Sequence, residues 1–279
     1  MPEDAQHRHI DRAEQLRNAA RVTGREAAQE GDRQALFFEG PENIGKTSLL
    51  FEIYRRHRSD GAYYVDLEDT SQEGEVLEAL AAQAQWQGVG SPSYRTTRDR
   101  IVQQSRSAQI SLHNVRARQS TIQLLSASKD RLLETASMSD AVLDDLVGGV
   151  RRPVICLDGF EVCAGPMRNW LGRHLLPKLL SRREVSVFVA GRELPRVPSA
   201  FAEAVHTLVL PPFDVAAVEE WIEELGLDDL RDSAVSIYSR YGGVPGLLAE
   251  FFRQHADKRG DPPEGQEGSR ITNRDSRDG

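Results

Sequence analysis

The chain has 279 residues, enough for one large domain or two small ones with a sizeable buried core. Its net charge of -8 opposes attraction to nucleic acid or anionic membrane as a whole, although a local basic patch could act against that average. No apolar run approaches the roughly 20 residues that a bilayer requires, and the N-terminus lacks the apolar region of a signal peptide. Cys156 and Cys163 are too few for a disulfide framework, and no Cys/His cluster has zinc spacing. We therefore expect a soluble, cytoplasmic protein without a membrane partner.

The first predicted elements are a strand, a loop and a helix in direct succession. Ala35 to Phe38 form an apolar run, residues 40–47 read G-P-E-N-I-G-K-T, and an amphipathic helix is predicted from about Lys46 to Arg58. This is the G-x-x-x-x-G-K-[S/T] pattern of a P-loop in the strand and helix context that the motif requires. The pattern predicts a binding site for a nucleoside triphosphate, and we expect ATP.

Each residue type in this loop has a physical role. Glycine at positions 40 and 45 permits backbone angles that side chains disfavour, so successive amides can turn inward around phosphate oxygens at a helix N-terminus. Lys46 is predicted to contact the β- and γ-phosphates, and Thr47 to ligate Mg²⁺. Only four of the 35 basic residues are lysines, and one stands where a compact ammonium is required. The predicted nucleotide contacts in the loop are Gly40, Asn43, Ile44, Gly45, Lys46, Thr47 and Ser48.

An insertion is predicted between two amphipathic helices, Glu73 to Gln87 and Leu132 to Val147. Residues 88–128 show little sustained period, and parts of this stretch alternate weakly between apolar and polar residues. Such alternation is typical of a small β-hairpin, and its tip would lie at residues 116–118. We interpret the stretch as an insertion or a surface excursion.

A second acidic site follows the run Val154 to Leu157, which is typical of a parallel strand covered on both faces. Asp158 falls at the carboxyl end of this strand, where open α/β sheets place ligands, and is predicted to hold Mg²⁺ from the other side. An ordinary strand-ending aspartate is the alternative. Because Gly159 rather than glutamate comes next, Glu161 is the nearest candidate for the general base, with a solvated loop glutamate as the alternative.

Three more apolar runs fit the same sheet, at residues 62–65, 185–190 and 205–210. Five strands alternating with helices predict an α/β P-loop NTPase fold, with a parallel, doubly wound sheet of order 5-1-4-3-2. Arg192 stands just past the fourth strand, at the same edge as Asp158. There it could sense the γ-phosphate and stabilise transferred charge, the alternative being a plain surface arginine.

A small helical lid is predicted after the sheet. Asp214 is the predicted N-cap of its first helix, with Phe213 and Val218 placed as a hydrophobic staple. A second helix is predicted over Asp228 to Tyr241, and Pro245 begins the third. The predicted organisation is an N-terminal segment at 1–30, an NTPase core at 31–211 with an insertion at about 88–128, a helical lid at 212–257 and a disordered tail at 258–279.

With these motifs together, the sequence resembles the STAND branch of AAA-type P-loop ATPases, the signal-transduction NTPases with numerous domains. The resemblance covers roughly residues 22–255. It rests on the P-loop, on Asp158 with Glu161 three residues later, on Arg192 after the next strand, and on the G-V-P of residues 243–245.

The resemblance also carries expectations for other positions. V-T-G-R-E at residues 22–26 is similar to a segment that precedes the P-loop in the family. The family pattern implies that Pro245 lies beside the nucleotide base and closes the site. The winged helix and sensor repeats that usually follow in STAND proteins are expected to be missing.

Four functions are compatible with these motifs. The first is a slowly hydrolysing ATPase that acts as a nucleotide-dependent switch for an unidentified partner protein, because a magnesium-ATP site occurs without a recognisable substrate site. The second is a DNA-associated ATPase of replication, transposition or defence. A non-hydrolysing nucleotide-binding scaffold is the third, supported by Gly159, and a small-molecule kinase ranks below these. The second function would need a basic surface on the insertion, such as Arg95, Arg98, Arg100 and Arg106.

The oligomeric state is not predicted by these motifs, and a homo-oligomer remains compatible with them. AAA-type relatives often complete the site with an arginine from a neighbouring subunit. None of the arginines can be assigned to that role from the sequence.

Overall fold

The computed structural model describes residues 12–24, 33–112 and 120–259, without the side chains of residues 105–112, 120–130 and 259. It divides into two compact units, one formed by Glu14–Pro211 and one by Met1–Ala13 with Pro212–Gly279. The larger unit contains the sheet, and the smaller contains three C-terminal helices. Bilayer-spanning helices are absent from the described part of the chain.

A parallel sheet of five strands lies in the described part of the larger unit. Its order is β2-β3-β4-β1-β5, which confirms the predicted 5-1-4-3-2 order and the α/β P-loop NTPase fold. Since β3, β4 and β1 are neighbours and parallel, the loops that follow them open at one edge, which we call the carboxyl edge. The strands are β1 (Ala35–Glu39), β2 (Ala62–Asp66), β3 (Val154–Asp158), β4 (Ser186–Gly191) and β5 (Val205–Val209).

Helices cover both faces of the sheet. In β1, Leu36 and Phe38 lie in one hydrophobic cluster with residues of α1 and α2, whereas Phe37 lies in a second cluster with residues of α3, α5, α6 and α7. This two-sided burial explains why the strands are continuous apolar runs. The helices of this unit are α1 (Ala13–Thr23), α2 (Lys46–His57), α3 (Glu73–Trp86), α4 (Pro92–Leu112), α5 (Ser120–Gly149), α6 (Gly165–Trp170) and α7 (Leu176–Ser181), with a π-helical turn at Leu171–Leu175 between the last two.

Glutamine side chains of α3 satisfy the backbone of the edge strand β2. Gln83 accepts from the amide of Tyr64 at 2.9 Å and donates to the carbonyl of the same residue at 2.6 Å. One turn later, Gln87 donates to the carbonyl of Ala62 at 2.6 Å. These bonds cover part of an edge that would otherwise be open to pairing with another strand, and they fix the C-terminal end of α3.

The predicted β-hairpin within residues 88–128 is wrong. The chain forms α4 and α5 instead, and residues 113–119, which include the predicted tip, lie outside the described part. The N-terminus of α4 is stabilised from a distance, because Asp145 of α5 accepts from the amides of Ser93 at 3.1 Å and Tyr94 at 2.8 Å. Short alternating segments do not distinguish a strand from a helix, and this tertiary cap cannot be read from local pattern.

The smaller unit contains α8 (Val215–Glu224), α9 (Ala234–Tyr241) and α10 (Pro245–Arg259). Asp214 caps α8 as predicted, because its Oδ1 accepts from the amide of Ala217 at 2.8 Å. Phe213 and Val218 are buried in one hydrophobic cluster. The predicted second helix differs at its start, since Asp228–Ser233 forms a 3₁₀ helix before α9.

Candidate nucleotide site

The loop between β1 and α2 has the backbone shape that the motif predicts. Gly45 and Asn43 both adopt left-handed angles, with φ of 90° and 62°. Ile44 is fully buried, and a side chain at Gly40 would place its Cβ 2.9 Å from the Ile44 Cγ2 atom. The loop therefore closes on its own buried isoleucine, which leaves glycine as the residue that fits at position 40. Thr47 and Ser48 are exposed in the first turn of α2.

Lys46 is held against this loop. Its Nζ donates to the carbonyl of Gly40 at 2.8 Å and to that of Pro41 at 2.7 Å, and the residue is 9% exposed. Burial lowers the pKa of Lys46 below its ordinary value, while the carboxylates of Glu161 and Asp158 act in the opposite direction. The structure thus places a buried ammonium where the charges of both predicted acidic residues act on it. An incoming phosphate could take over its hydrogen bonds.

Both carboxylate oxygens of Asp158 accept hydrogen bonds. Oδ2 accepts from the Tyr64 hydroxyl at 2.7 Å, and Oδ1 accepts from the amide of Gly159 at 3.0 Å. Asp158 is 5% exposed at the end of β3. Burial, followed by the charge of Asp158, raises the pKa of the Tyr64 hydroxyl, which therefore remains a donor. The aspartate is consequently oriented before any ligand arrives.

Tyr64 was not singled out by the sequence motifs. A signal for it exists in the strand register, since Tyr64 pairs with Cys156, and Asp66 pairs with Asp158. Side chains two residues apart on a strand share a face, so Tyr64 and Asp158 lie on the same side of neighbouring strands. The register depends on how strands distant in the chain pair with each other, and the motifs alone do not supply that pairing.

Glu161 and Arg192 form an ion pair beside the loop. Arg192 Nε lies 3.3 Å from Glu161 Oε1, and its Nη1 lies 3.7 Å from Glu42 Oε2. Glu161 Oε2 is buried and has no hydrogen-bond partner among the described residues. A side chain at Gly191 would come within 3.0 Å of that oxygen, so a glycine there gives the glutamate room. The structure thus brings together two residues whose roles were predicted separately.

Arg168, which no sequence motif distinguishes from the other arginines, braces the loop that carries Glu161. It donates to the backbone carbonyls of Glu161 and Cys163, the latter at 2.9 Å, and its Nη1 lies 2.6 Å from Glu193 Oε2. These bonds join the loop after β3 to the loop after β4. Arg168 therefore supports the position of Glu161 rather than facing Lys46.

The donor set suits a magnesium ion carried by a nucleotide. Groups of three or more His, Cys, Asp or Glu side chains suited to a metal are absent from the described residues. Mg²⁺ at such sites is commonly held by one or two carboxylates together with substrate phosphates, and a threonine hydroxyl joins them in P-loop proteins. Asp158 and Thr47 fit that requirement. Pro245 is buried at the start of α10 in the smaller unit, and its contact with the base stays a prediction.

The sequence matches no protein-family model and no curated protein. Among solved structures, it is similar to a Signal Transduction ATPase with Numerous Domains (STAND) protein with a tetratricopeptide repeat sensor from Pyrococcus horikoshii. That match has a TM-score of 0.46 and 16% identity, covering 80% of this chain and 28% of the other.

This chain covers a larger share of two further solved structures. CDC6P from Pyrobaculum aerophilum has a TM-score of 0.52 and 13% identity, over 93% of this chain and 65% of the other. The ORC2 protein of Aeropyrum pernix, solved in ADPNP-ADP complexes, has a TM-score of 0.53 and 14% identity, over 92% and 67%. The chain thus spans about two thirds of each of these proteins and 28% of the STAND protein. At these identities the likeness concerns the fold, and the chain has the α/β fold of P-loop ATPases.

Proposed function

We propose that this chain binds ATP with magnesium at its P-loop, hydrolyses it slowly and acts as a nucleotide-dependent switch for a partner protein. The observation that carries the proposal is the buried Lys46 ammonium, which is held by the loop carbonyls and subject to the charges of Asp158, Glu161 and Arg192. The ADPNP-ADP complexes of the structurally similar ORC2 protein support an adenine nucleotide in this fold.

Each residue of the proposed site has its own role in nucleotide binding or hydrolysis. The loop amides and Lys46 bind and orient the phosphates, and Arg192 stabilises charge that develops on the γ-phosphate. When bound, magnesium neutralises phosphate charge, and Thr47 and Asp158 are the residues that would hold it. Glu161 takes the proton from the attacking water at its buried carboxylate.

Slow turnover follows from the pairing of Glu161. Oε1 faces Arg192 at 3.3 Å, so one oxygen of the proposed base is already engaged by a cation. An oxygen that already contacts a guanidinium is less available to orient the attacking water. The contact of Arg192 with Glu42 gives the arginine a second site on the P-loop side.

Two observations bear on the alternative functions. The buried Oε2 of Glu161, whose charge acts on Lys46, favours hydrolysis over a scaffold without turnover. One of the predicted DNA-binding arginines of α4 is neutralised, since Arg98 lies 3.0 Å from Glu78 and 3.7 Å from Asp99. Arg95 and Arg100 are exposed. The side chain of Arg106 lies outside the described part. Arg98 therefore contributes little charge to a nucleic-acid surface on α4.

Calorimetry of Mg-ATP binding tests the proposal with a matched pair of lysine variants. Lys46→Ala should weaken binding about a hundredfold, because it removes a charge-assisted contact to the phosphates. Lys258→Ala, which removes a lysine from α10, should leave affinity unchanged. Equal affinity of the two variants would show that the nucleotide binds elsewhere or not at all.

The switch itself is tested by hydrogen exchange in residues 212–257, the proposed lid. ATP and ADP should give different exchange rates there in the native protein, and the difference should vanish in Lys46→Ala. Identical rates with the two nucleotides would contradict a switch while leaving nucleotide binding intact.

A further inference from the structure

A second open cleft lies at the opposite, amino edge of the sheet. It has a volume of about 800 Å³ and is formed by three segments, at residues 55–61, 86–89 and 149–151. Gly61 directly precedes β2 and accepts from the amide of Val154 of β3 at 3.0 Å, which places the cleft where these strands begin. Because strands β2 and β3 are parallel, their carboxyl ends lie on the other side of the sheet. The cleft is therefore separate from the P-loop.

The walls of this cleft carry basic charge that the surrounding residues do not balance. Arg55 is compensated by Glu52, with contacts of 2.8 and 3.0 Å. Arg58 and Arg151 line the cleft as exposed residues and make no ion pair within the described ranges. Asp60 is the acidic side chain in the same wall. Two free guanidinium groups at one opening contrast with a chain whose net charge is -8.

Trp86 stands at the rim with its ring in solvent. The residue is 82% exposed, whereas Trp170 and Trp221 are 3% and 8% exposed. The helix backbone that carries it is held against β2, because the neighbouring Gln87 donates to the Ala62 carbonyl and Gln83 bonds both backbone groups of Tyr64. An exposed indole on an anchored helix offers a flat surface on which a nucleobase can stack. Exposing such a ring has no benefit for the stability of the core.

We propose that this cleft binds single-stranded nucleic acid, with a base stacked on Trp86 and backbone phosphates contacted by Arg58 and Arg151. An exposed aromatic ring combined with guanidinium groups that make no ion pair within the described ranges is the chemistry that single strands require. An acidic peptide would use the two arginines but would gain little from a ring that is open to solvent and flanked by few apolar residues. The site goes beyond the proposed nucleotide switch and does not depend on it.

The test is fluorescence anisotropy of a labelled 20-nucleotide oligothymidine with the full chain at several salt concentrations. Trp86→Ala should weaken binding about tenfold, while Trp86→Phe, which keeps a stacking ring, should retain most of the affinity. Arg58→Glu combined with Arg151→Glu should reduce affinity at least about tenfold and lower the slope of log affinity against log salt by about 1.4. Oligothymidine should also quench the fluorescence of Trp86 in the native chain.

Matched variants make the result decisive. Arg173→Glu introduces the same charge change at another exposed arginine and should have little effect. Lys46→Ala should leave oligothymidine binding unchanged, so failure of the nucleotide proposal and failure of this one are separable. The proposal is overturned if oligothymidine does not bind, if Trp86→Ala binds as the native chain does, or if polyglutamate of equal length competes equally well. Absence of oligothymidine binding would show that the exposed ring does not have this role. Equal competition by polyglutamate would indicate an acidic protein partner.

Discussion

The charged side chains at the two edges of the sheet differ in their burial and in their pairing. At the carboxyl edge Lys46 and Asp158 are buried and hydrogen-bonded. Glu161 has one buried carboxylate oxygen, and its other oxygen contacts the half-exposed Arg192. At the amino edge Arg58 and Arg151 are exposed and make no ion pair among the described residues. Buried, paired charges are oriented in advance, at a cost in desolvation, whereas exposed ones are flexible and screened by salt. The first arrangement suits chemistry on one small ligand, and the second suits reversible attachment to a long anionic one.

The largest effect expected from this contrast is on turnover. Glu161→Gln should lower the rate of phosphate release about a hundredfold or more and leave Mg-ATP affinity nearly unchanged, because the amide cannot accept the proton from water. Glu42→Gln is the matched control, since it removes a carboxylate of the P-loop that also acts on Lys46 but is 75% exposed. Steady-state phosphate release checks both variants. Equal losses in the two would mean that charge near Lys46, and not the base, limits the rate.

A smaller effect is expected from the hydroxyl that orients Asp158. Tyr64→Phe should raise about tenfold the Mg²⁺ concentration that gives half-maximal nucleotide binding. The physical reason is the loss of a hydrogen bond to the carboxylate proposed to ligate Mg²⁺. The adjacent Tyr63 supplies a control, since its hydroxyl is buried without a hydrogen-bond partner among the described residues and burial raises its pKa to about 12. Tyr63→Phe should leave the Mg²⁺ titration unchanged. If Tyr64→Phe behaves the same way, the aspartate does not need this support.

The smallest effect concerns packing beside the cleft. A side chain at Gly149 would place its Cβ 2.2 Å from Val89 Cγ1, whereas one at the preceding Gly148 would meet no atom within 4 Å. Gly149→Ala should therefore lower the free energy of unfolding by about 1 kcal/mol through overpacking. Gly148→Ala should raise it by up to about 1 kcal/mol, because alanine favours the helix. Urea unfolding of both variants checks the pair, and a stable Gly149→Ala would show that Val89 is free to move.

Local sequence was sufficient to predict a feature where few residue types can perform the required role. The P-loop required Gly45 at a left-handed angle and a lysine at position 46, and the structure has both features. Asp214 was predicted as an N-cap from its place before an apolar helix, and its side chain accepts the expected bond. Such features depend on a few consecutive residues, so the chain's own pattern specifies them.

Local sequence failed where the partner was remote. The segment around α4 and α5 alternates weakly and was interpreted as a hairpin, but its helices depend on contacts such as that between Asp145 and the amide of Tyr94. Arg168 likewise has no local signature, although it holds the loop that carries Glu161. Contacts between residues far apart in the chain have no periodicity to detect.

By itself, the sequence predicted the five strands, their order and the loop after β1, because hydrophobic runs and glycine spacing can be read from the chain directly. Tertiary structure decided which of these residues meet. It paired Glu161 with Arg192 and gave Asp158 its tyrosine donor. It also left Trp86 exposed at the other edge, beside arginines that make no ion pair in the part of the chain that the structure describes. These relations depend on sheet register and on helices packed across it, and both emerge only when the apolar faces of distant segments are buried together.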